Sequence, residues 1–228
     1  MAFKGQYREE TVMATRGPYA KGAAKRAEIL AAALEIIAER GYSKTTLKEL
    51  ADAVGLSQNG VLHYFGSKEN LLAEVLRRRD AVDREAMESS EANGDMMESL
   101  PAVVARNASV PGLVALFSRL SAEASETDHP AHEFFAERYE EHARLVAGGV
   151  RQLQAEGGAP ADLDPERFAL LLGAVYDGLQ TRWLYDQSID MADLVRYFLH
   201  MAGFGGSGAG ATNSEDDEGG AARSAGAN

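Results

Sequence analysis

Apolar residues in this chain recur at spacings of three and four and nowhere alternate in a β-branched run, which restricts it to helices packed on helices. From Lys25 onward, Ile29, Leu30, Ala33, Leu34 and Ile37 mark one side of a first helix, and Gly41 predicts its end. Thr45 and Thr46 can cap the short segment LKELADAV, with Glu49 three residues beyond Thr46, as a capping box requires. Gly55 ends that segment. Ser57 then caps QNGVLHYF, and Ser67 opens the longer run KENLLAEVLRRRDAVDREAM. Two helices of about eight residues joined through a glycine, with longer helices before and after, form a helix-turn-helix pattern.

Beyond the polar break ESSEANGD, five further helical segments follow. Pro111, Pro130 and Pro165 are each placed for a first helical turn, and Asp164 and Asp190 for caps. The expectation is an all-α protein of nine or so helices. Residues 1–20 mix charge, Gly and Pro without periodicity and read as a flexible arm. Residues 203–228 are Gly- and acid-rich and read as a disordered tail.

Of the 228 residues, 45% are hydrophobic, enough to bury an ordinary core, and none is cysteine. That excludes disulfides, cysteine-ligated metals and thiol nucleophiles, and fits a reducing compartment. No apolar run approaches the roughly 20 residues that cross a bilayer, and the N-terminus lacks the apolar stretch of a signal peptide, so a soluble, cytoplasmic protein without membrane partners is expected. The net charge of -12 is unevenly spread: residues 1–68 hold ten Lys or Arg against seven Asp or Glu, leaving thirteen against twenty-eight for the rest. An N-terminal module near +3 on a body near -15 allows anion binding at one end while limiting non-specific adhesion.

A helix as short as QNGVLHYF needs its neighbours to hold it. Val61, Leu62 and Phe65 are its natural inward residues, leaving Gln58, Asn59, Gly60, His63 and Tyr64 for another task. Gln and Asn offer the paired donor and acceptor that match adenine in the major groove, and His and Tyr can bond phosphate or pack on a thymine methyl. Gly60 keeps the surface low. Thr45, Thr46, Ser57, Ser67 and Lys68 supply hydroxyls, helix N-terminal amides and a cation for phosphates on either side. Arg16, Lys21, Lys25 and Arg26 form a basic patch before the first helix, where an arm could reach the minor groove or flanking phosphates. A helical adaptor that binds only protein is the alternative.

The run Gly41 to Leu76 resembles the DNA-binding domain of the TetR family of bacterial transcriptional regulators. The residues that carry the likeness are Gly41 with Tyr42, Thr45 with Thr46, the turn Val54, Gly55 and Leu56, Ser57, and Tyr64, Phe65, Ser67, Lys68 and Glu69. Two positions depart from the family pattern: Asn59, where a small residue is common, and Leu62, where a phosphate-touching tyrosine is common. The resemblance implies a helix-turn-helix domain over 21–66 and a ligand-binding and dimerisation domain over 67–202. It also implies a homodimer on double-stranded operator DNA, a small-molecule effector and repression, with activation as the lesser alternative. The segment from Asp164 to Leu199 is similar to the end of the betaine-regulator subgroup. The effector pocket is then expected among residues 97–183, with Phe117, Phe134, Phe135, Tyr139, Tyr176 and Trp183 as lining and Arg119 or Asp177 as polar anchors.

The segment from Pro165 is apolar on two sides. Phe168, Leu172, Val175 and Leu179 share one, while Leu170, Ala174, Thr181 and Leu184, with Gly173, Asp177 and Gly178, form a second. The second side can serve a two-fold partner, through an isologous interface with the last helix, or pack wholly within one subunit. Catalytic patterns are poor. Gly203, Gly205 and Gly208 spell a GxGxxG with no strand before it, and HEFFA from His132 has Ala136 where a zinc site needs histidine. His129 and His132 lack a third obvious ligand, and no serine stands in a GxSxG elbow. Neither a cofactor nor an enzymatic activity is expected.

Overall fold

The computed structural model describes residues 18–88 and 96–205. Among these it contains nine α-helices, one 3-10 turn and no strand. The helices are α1 (Pro18–Arg40), α2 (Leu47–Ala53), α3 (Gln58–Phe65), α4 (Lys68–Glu88), α5 (Met96–Ala108), α6 (Pro111–Glu123), α7 (His132–Ala155), α8 (Pro165–Tyr185) and α9 (Met191–Met201), with the 3-10 turn at Tyr42–Lys44.

The caps fall where the sequence puts them. Thr46 Oγ1 accepts from Glu49 N–H at 3.2 Å while Glu49 accepts from Thr46 N–H at 2.9 Å, closing the capping box of α2. Ser57 accepts from Gly60 N–H at 3.1 Å and Ser67 from Asn70 N–H at 3.0 Å, so α3 and α4 start on satisfied amides. Asp164 and Asp190 cap α8 and α9. Gly41, Gly55 and Gly66 all have positive φ, which lets the chain reverse between four helices within 30 residues.

Three boundaries differ from expectation. Helix α1 begins at Pro18 rather than near Lys25, because proline is tolerated in a first turn and the following Tyr-Ala-Lys-Gly-Ala-Ala-Lys run contains good helix formers. The supposed arm therefore includes helical residues, while residues 1–17, Arg16 among them, lie outside the described part. Pro130 stands in the turn before α7, ahead of the cap residue Ala131, instead of in the helix. Past α9, Gly203 takes φ 89° and Phe204 folds back, its N–H on Leu199 O at 3.1 Å and its ring 5.1 Å from Phe168. Phe204 is thus a core residue and not tail; residues 206–228 lie outside the described part.

The buried side chains form two clusters. The first joins α1, α2, α3 and α4 to Leu113, Leu116, Phe117 and Leu120 of α6 and to Phe134 and Phe135 of α7. The second holds Val104, Val114, Val146, Val150, Phe168, Leu172, Trp183, Val195, Leu199 and Phe204. Helix α6 contributes to both, so the helix-turn-helix end and the C-terminal body share a structural member. The first core crosses residue 66 without a gap, since Leu71, Leu72, Val75 and Leu76 of α4 are within 1% of full burial.

Candidate nucleic-acid interface and regulatory core

Val61 is fully buried and Phe65 is nearly so, which pins α3 to the first core, whereas Leu62 is only half-buried. Gln58, Asn59 and His63 are exposed on the opposite side. Arg26 fixes the geometry from behind: its guanidinium lies 4.8 Å from the Phe65 ring centroid and 3.2 Å from Glu74, tying α1 to both α3 and α4. The result is a short, capped helix held on one side and bare on the other.

The remaining expected contact residues divide. Thr46, Ser57, Gln58, Asn59 and His63 are exposed, Gly60 is half-exposed, and Lys68 is half-buried with its ammonium 5.8 Å from the Tyr42 ring centroid. Thr45, in contrast, is 2% exposed and its hydroxyl donates to Gly41 O at 2.9 Å, so it closes the turn after α1 and does not face a phosphate. Lys25 donates to Val54 O at 2.6 Å and to Glu28, which holds α1 against the end of α2. Tyr64 packs partly against the core, with its ring edge toward His63. Lys44 and Lys48, passed over in the sequence, are exposed beside Thr46. Their signal was available: two lysines flank the cap of the helix that precedes the reading helix.

The six aromatic residues expected to line an effector pocket do not come together as one wall. Phe117, Phe134, Phe135 and Tyr139 form a chain of ring contacts at 4.9 to 6.3 Å, capped by Arg138 over Phe117 at 4.6 Å and Arg77 over Phe134 at 5.0 Å. Tyr176 and Trp183 belong to the second core. Arg119 is drawn instead to the helix-turn-helix end, its guanidinium 6.0 Å from the Tyr42 ring centroid. Asp177 accepts from Tyr139 Oη at 2.8 Å; burial and that carboxylate push the Tyr139 phenol up to about 12.

Between the aromatic chain and Tyr176 runs a partly buried ionic network, with Arg79 and Asn107 at its buried centre, that has no counterpart in the sequence reading. Arg138 forks onto Asp80 with contacts of 2.6 and 3.1 Å. Arg79 Nε donates to Asn107 Oδ1 at 3.1 Å and stands 3.8 Å from Asp83, which also meets Arg106 at 3.4 Å. Asn107 Nδ2 donates to Tyr176 Oη at 3.3 Å. A cleft of about 240 Å³ between α4 and α7 has the Asp80–Arg138 pair and Phe134 in its lining. His129 and His132 are engaged by the α6–α7 connection: His129 Nδ1 accepts from Ala131 N–H at 3.1 Å and His132 Nδ1 lies 2.8 Å from Ala124 O.

His142 lies beside this network, and burial, reinforced by the Arg138 charge and offset by Asp80, lowers its pKa from the usual 6.5. A histidine kept neutral by the fold contributes stability above its unfolded pKa and loses it as pH falls from about 6.5 toward the depressed folded value. The difference in urea midpoint between pH 7.5 and pH 5.5 should accordingly be smaller in His142→Gln than in the wild type.

On α8 the two sides are differently occupied. Phe168 and Leu172 are buried, while Leu170 is 68% exposed and Ala174 and Thr181 are also exposed. Asp177 and Leu184, expected on the same free side, are half-buried, bonded to Tyr139 and packed on the second core respectively. Leu171, Tyr185, Leu194, Tyr197 and Met201 extend the exposed apolar surface along α8 and α9.

The chain matches two family models: bacterial regulatory proteins, tetR family, over residues 29–75, and the C-terminal domain of BetI-type transcriptional repressors over 96–202. The transcriptional regulator BetI of Rhizobium meliloti is 31% identical over 166 residues, covering 69% of this chain and 77% of that one. The chain belongs to the TetR family. The transcriptional repressor KstR2 of Mycolicibacterium smegmatis is 28% identical, with 62% of this chain and 71% of that one covered. Among solved structures, the TetR-family repressor FadR of Thermus thermophilus, in complex with lauroyl-CoA, is 25% identical with a TM-score of 0.59, covering 78% and 92% of the two chains. The TetR-type N-terminal module is the one that ends in α3 and α4, and the BetI-type region coincides with α5 to α9. No single helix among the described residues is long and apolar enough to cross a membrane.

Proposed function

We propose that this TetR-family chain is a cytoplasmic repressor, without catalytic activity, that binds a pseudo-palindromic operator as a homodimer and releases it when a small molecule enters the regulatory core. The observation that carries this reading is the two-sidedness of α3. Val61 and Phe65 anchor it, so Gln58, Asn59 and His63 can meet base edges without unfolding anything. Two such helices would enter successive major grooves about 34 Å apart, one helical turn. Thr46, Lys44, Lys48, Ser57 and Lys68 would hold phosphates on either side, and the exposed faces of α8 and α9 would join the protomers. Lys25, Thr45 and Tyr64 serve the fold of the reading head.

Release follows if the effector prefers a form in which the two reading helices are wrongly spaced. Helix α4 is the natural lever, since it packs against the reading head through Leu71, Leu72, Val75 and Leu76 and carries Arg79, Asp80 and Asp83 into the regulatory core.

Selection of bound sites from random duplexes, followed by gel-shift titration, tests the assignment. A palindrome is expected. Lys68→Ala should weaken all duplexes alike and reduce the slope of log affinity against log salt by about one. Gln58→Ala or Asn59→Ala should cost about 1 to 3 kcal/mol at one base pair and relax preference there. Unchanged binding in all three would show that α3 does not read DNA.

A further inference from the structure

Arg79 is 7% exposed, and its Nη1 has no hydrogen-bond partner in the protein. A buried guanidinium nitrogen left unpaired costs free energy, because it has given up its hydration without gaining an acceptor. The rest of its fork is thinly served. Nε has a neutral acceptor, Asn107, and the nearest carboxylate, Asp83, is 3.8 Å away and shared with Arg106. Asp80 attracts Arg79 as well, but its two oxygens are bonded by Arg138. Three guanidiniums thus divide two carboxylates, and the third carboxylate nearby, Asp177, accepts from Tyr139.

Two more orphans lie on the helices around it. Gln180 is 3% exposed with Oε1 unpaired, one turn along α8 from Tyr176, which closes the Arg79–Asn107–Tyr176 path. Ser118 Oγ, on α6, is unpaired as well, and α6 packs on both α4 and α8. An amide and a hydroxyl can each turn to donate or accept. Tyr176 itself packs on the apolar second core, to which Trp183 and Val114 of α6 belong.

We propose that Arg79 is the effector-sensing residue of this regulator and that its effector is an apolar carboxylate. The anionic head completes the Arg79 fork, and the hydrocarbon body turns toward the apolar second core on which Tyr176 packs. The inference rests on the reading of the chain as a ligand-released regulator and adds the ligand's chemical class. A quaternary ammonium head fits less well, because the faces of Phe117 and Phe134 that could receive it already carry Arg138 and Arg77. Because Arg79 sits on α4, a carboxylate that draws on it acts on the helix that holds the reading head.

The test is calorimetric titration of the full-length dimer with straight-chain carboxylates from hexanoate to dodecanoate and with alkyltrimethylammonium ions of matched length. At least one carboxylate should saturate, at least tenfold tighter than its cationic match. Arg79→Met should weaken it tenfold or more, and Arg79→Lys, which keeps the charge but loses the fork, by an intermediate factor. Thermal melts establish that the variants fold; if Arg79→Met does not, Arg79→Lys carries the comparison. The binding carboxylate should also release the selected operator from the wild type, at a higher concentration from Arg79→Lys. The proposal is overturned if no carboxylate binds the wild type, if the cation series binds better, or if Arg79→Lys binds as the wild type does. Failure of the wild type to bind any duplex would count against the DNA-binding reading instead, and the calorimetric result would still decide the ligand class.

Discussion

Gly112→Ala is expected to lower the melting temperature by several degrees and to weaken operator binding more than that loss of stability explains. A Cβ at Gly112 would stand 2.0 Å from Ile37 O, 3.0 Å from Ile37 C and 3.3 Å from Gly41 Cα. All three are backbone atoms at the end of α1, and no side-chain rotation relieves the overlap. The same carbonyl accepts from Gly41 N–H at 2.9 Å, so pushing it aside also loosens the turn that starts the helix-turn-helix. Overpacking of this kind costs about 1 to 3 kcal/mol, which for a chain of this size corresponds to roughly 2 to 12 °C. The excess loss in DNA affinity follows from position: Gly112 is where α6, the helix shared by both cores, rests on the reading head. Gly148→Ala in α7 is the control. A Cβ there meets nothing within 4 Å, and replacing a helical glycine should stabilise by about 0.5 to 1 kcal/mol. Differential scanning calorimetry gives the two signs, and gel shifts at a temperature where both variants are folded give the coupling. Operator affinity unchanged in a folded Gly112→Ala would show that α6 does not transmit to the DNA end.

What was legible in the sequence was local. The threonine, serine and aspartate caps, the glycine reversals and the buried face of α3 all depend on residues within four positions of one another, and the structure places them as spaced. Errors arose where a distant partner decides. Thr45 is the local exception: it reads as a surface hydroxyl, yet it is buried and bonded to Gly41 O only four positions back. Lys25 reads as a free cation, yet a carbonyl 29 positions away takes it. Phe204 reads as the start of a tail because glycines surround it, but the second core has a place for its ring. The ionic network around Arg79 shows the limit most plainly. Arg79, Asn107 and Tyr176 come from three helices up to 97 positions apart, and nothing in the periodicity of any one helix announces that they meet.

Leu170→Arg should convert the proposed dimer to monomers at micromolar concentration and, with that, remove the proposed high-affinity operator binding. Leu170 is 68% exposed and Leu171 59%, and with Tyr185, Leu194, Tyr197 and Met201 they leave an apolar face on α8 and α9 that a lone protomer would present to water. An isologous interface repeats each contact, so one substitution acts twice. Losing a buried leucine at about 1.5 to 3 kcal/mol per site gives about 3 to 6 kcal/mol per dimer, or a weakening on the order of 10² to 10⁴ before any charge repulsion. DNA binding falls with it, because a monomer offers one reading helix and the second half-site is then bound as an independent event. Arg196→Ala, exposed on α9 and paired among the described residues only with Asp193 on its own helix, should leave both properties in place. Light scattering gives the mass of each variant, and titration against a full operator and a single half-site separates lost avidity from lost reading. If Leu170→Arg remains a dimer with full operator affinity, the protomers join through some other surface, and the exposed leucines and tyrosines of α8 and α9 need a different explanation.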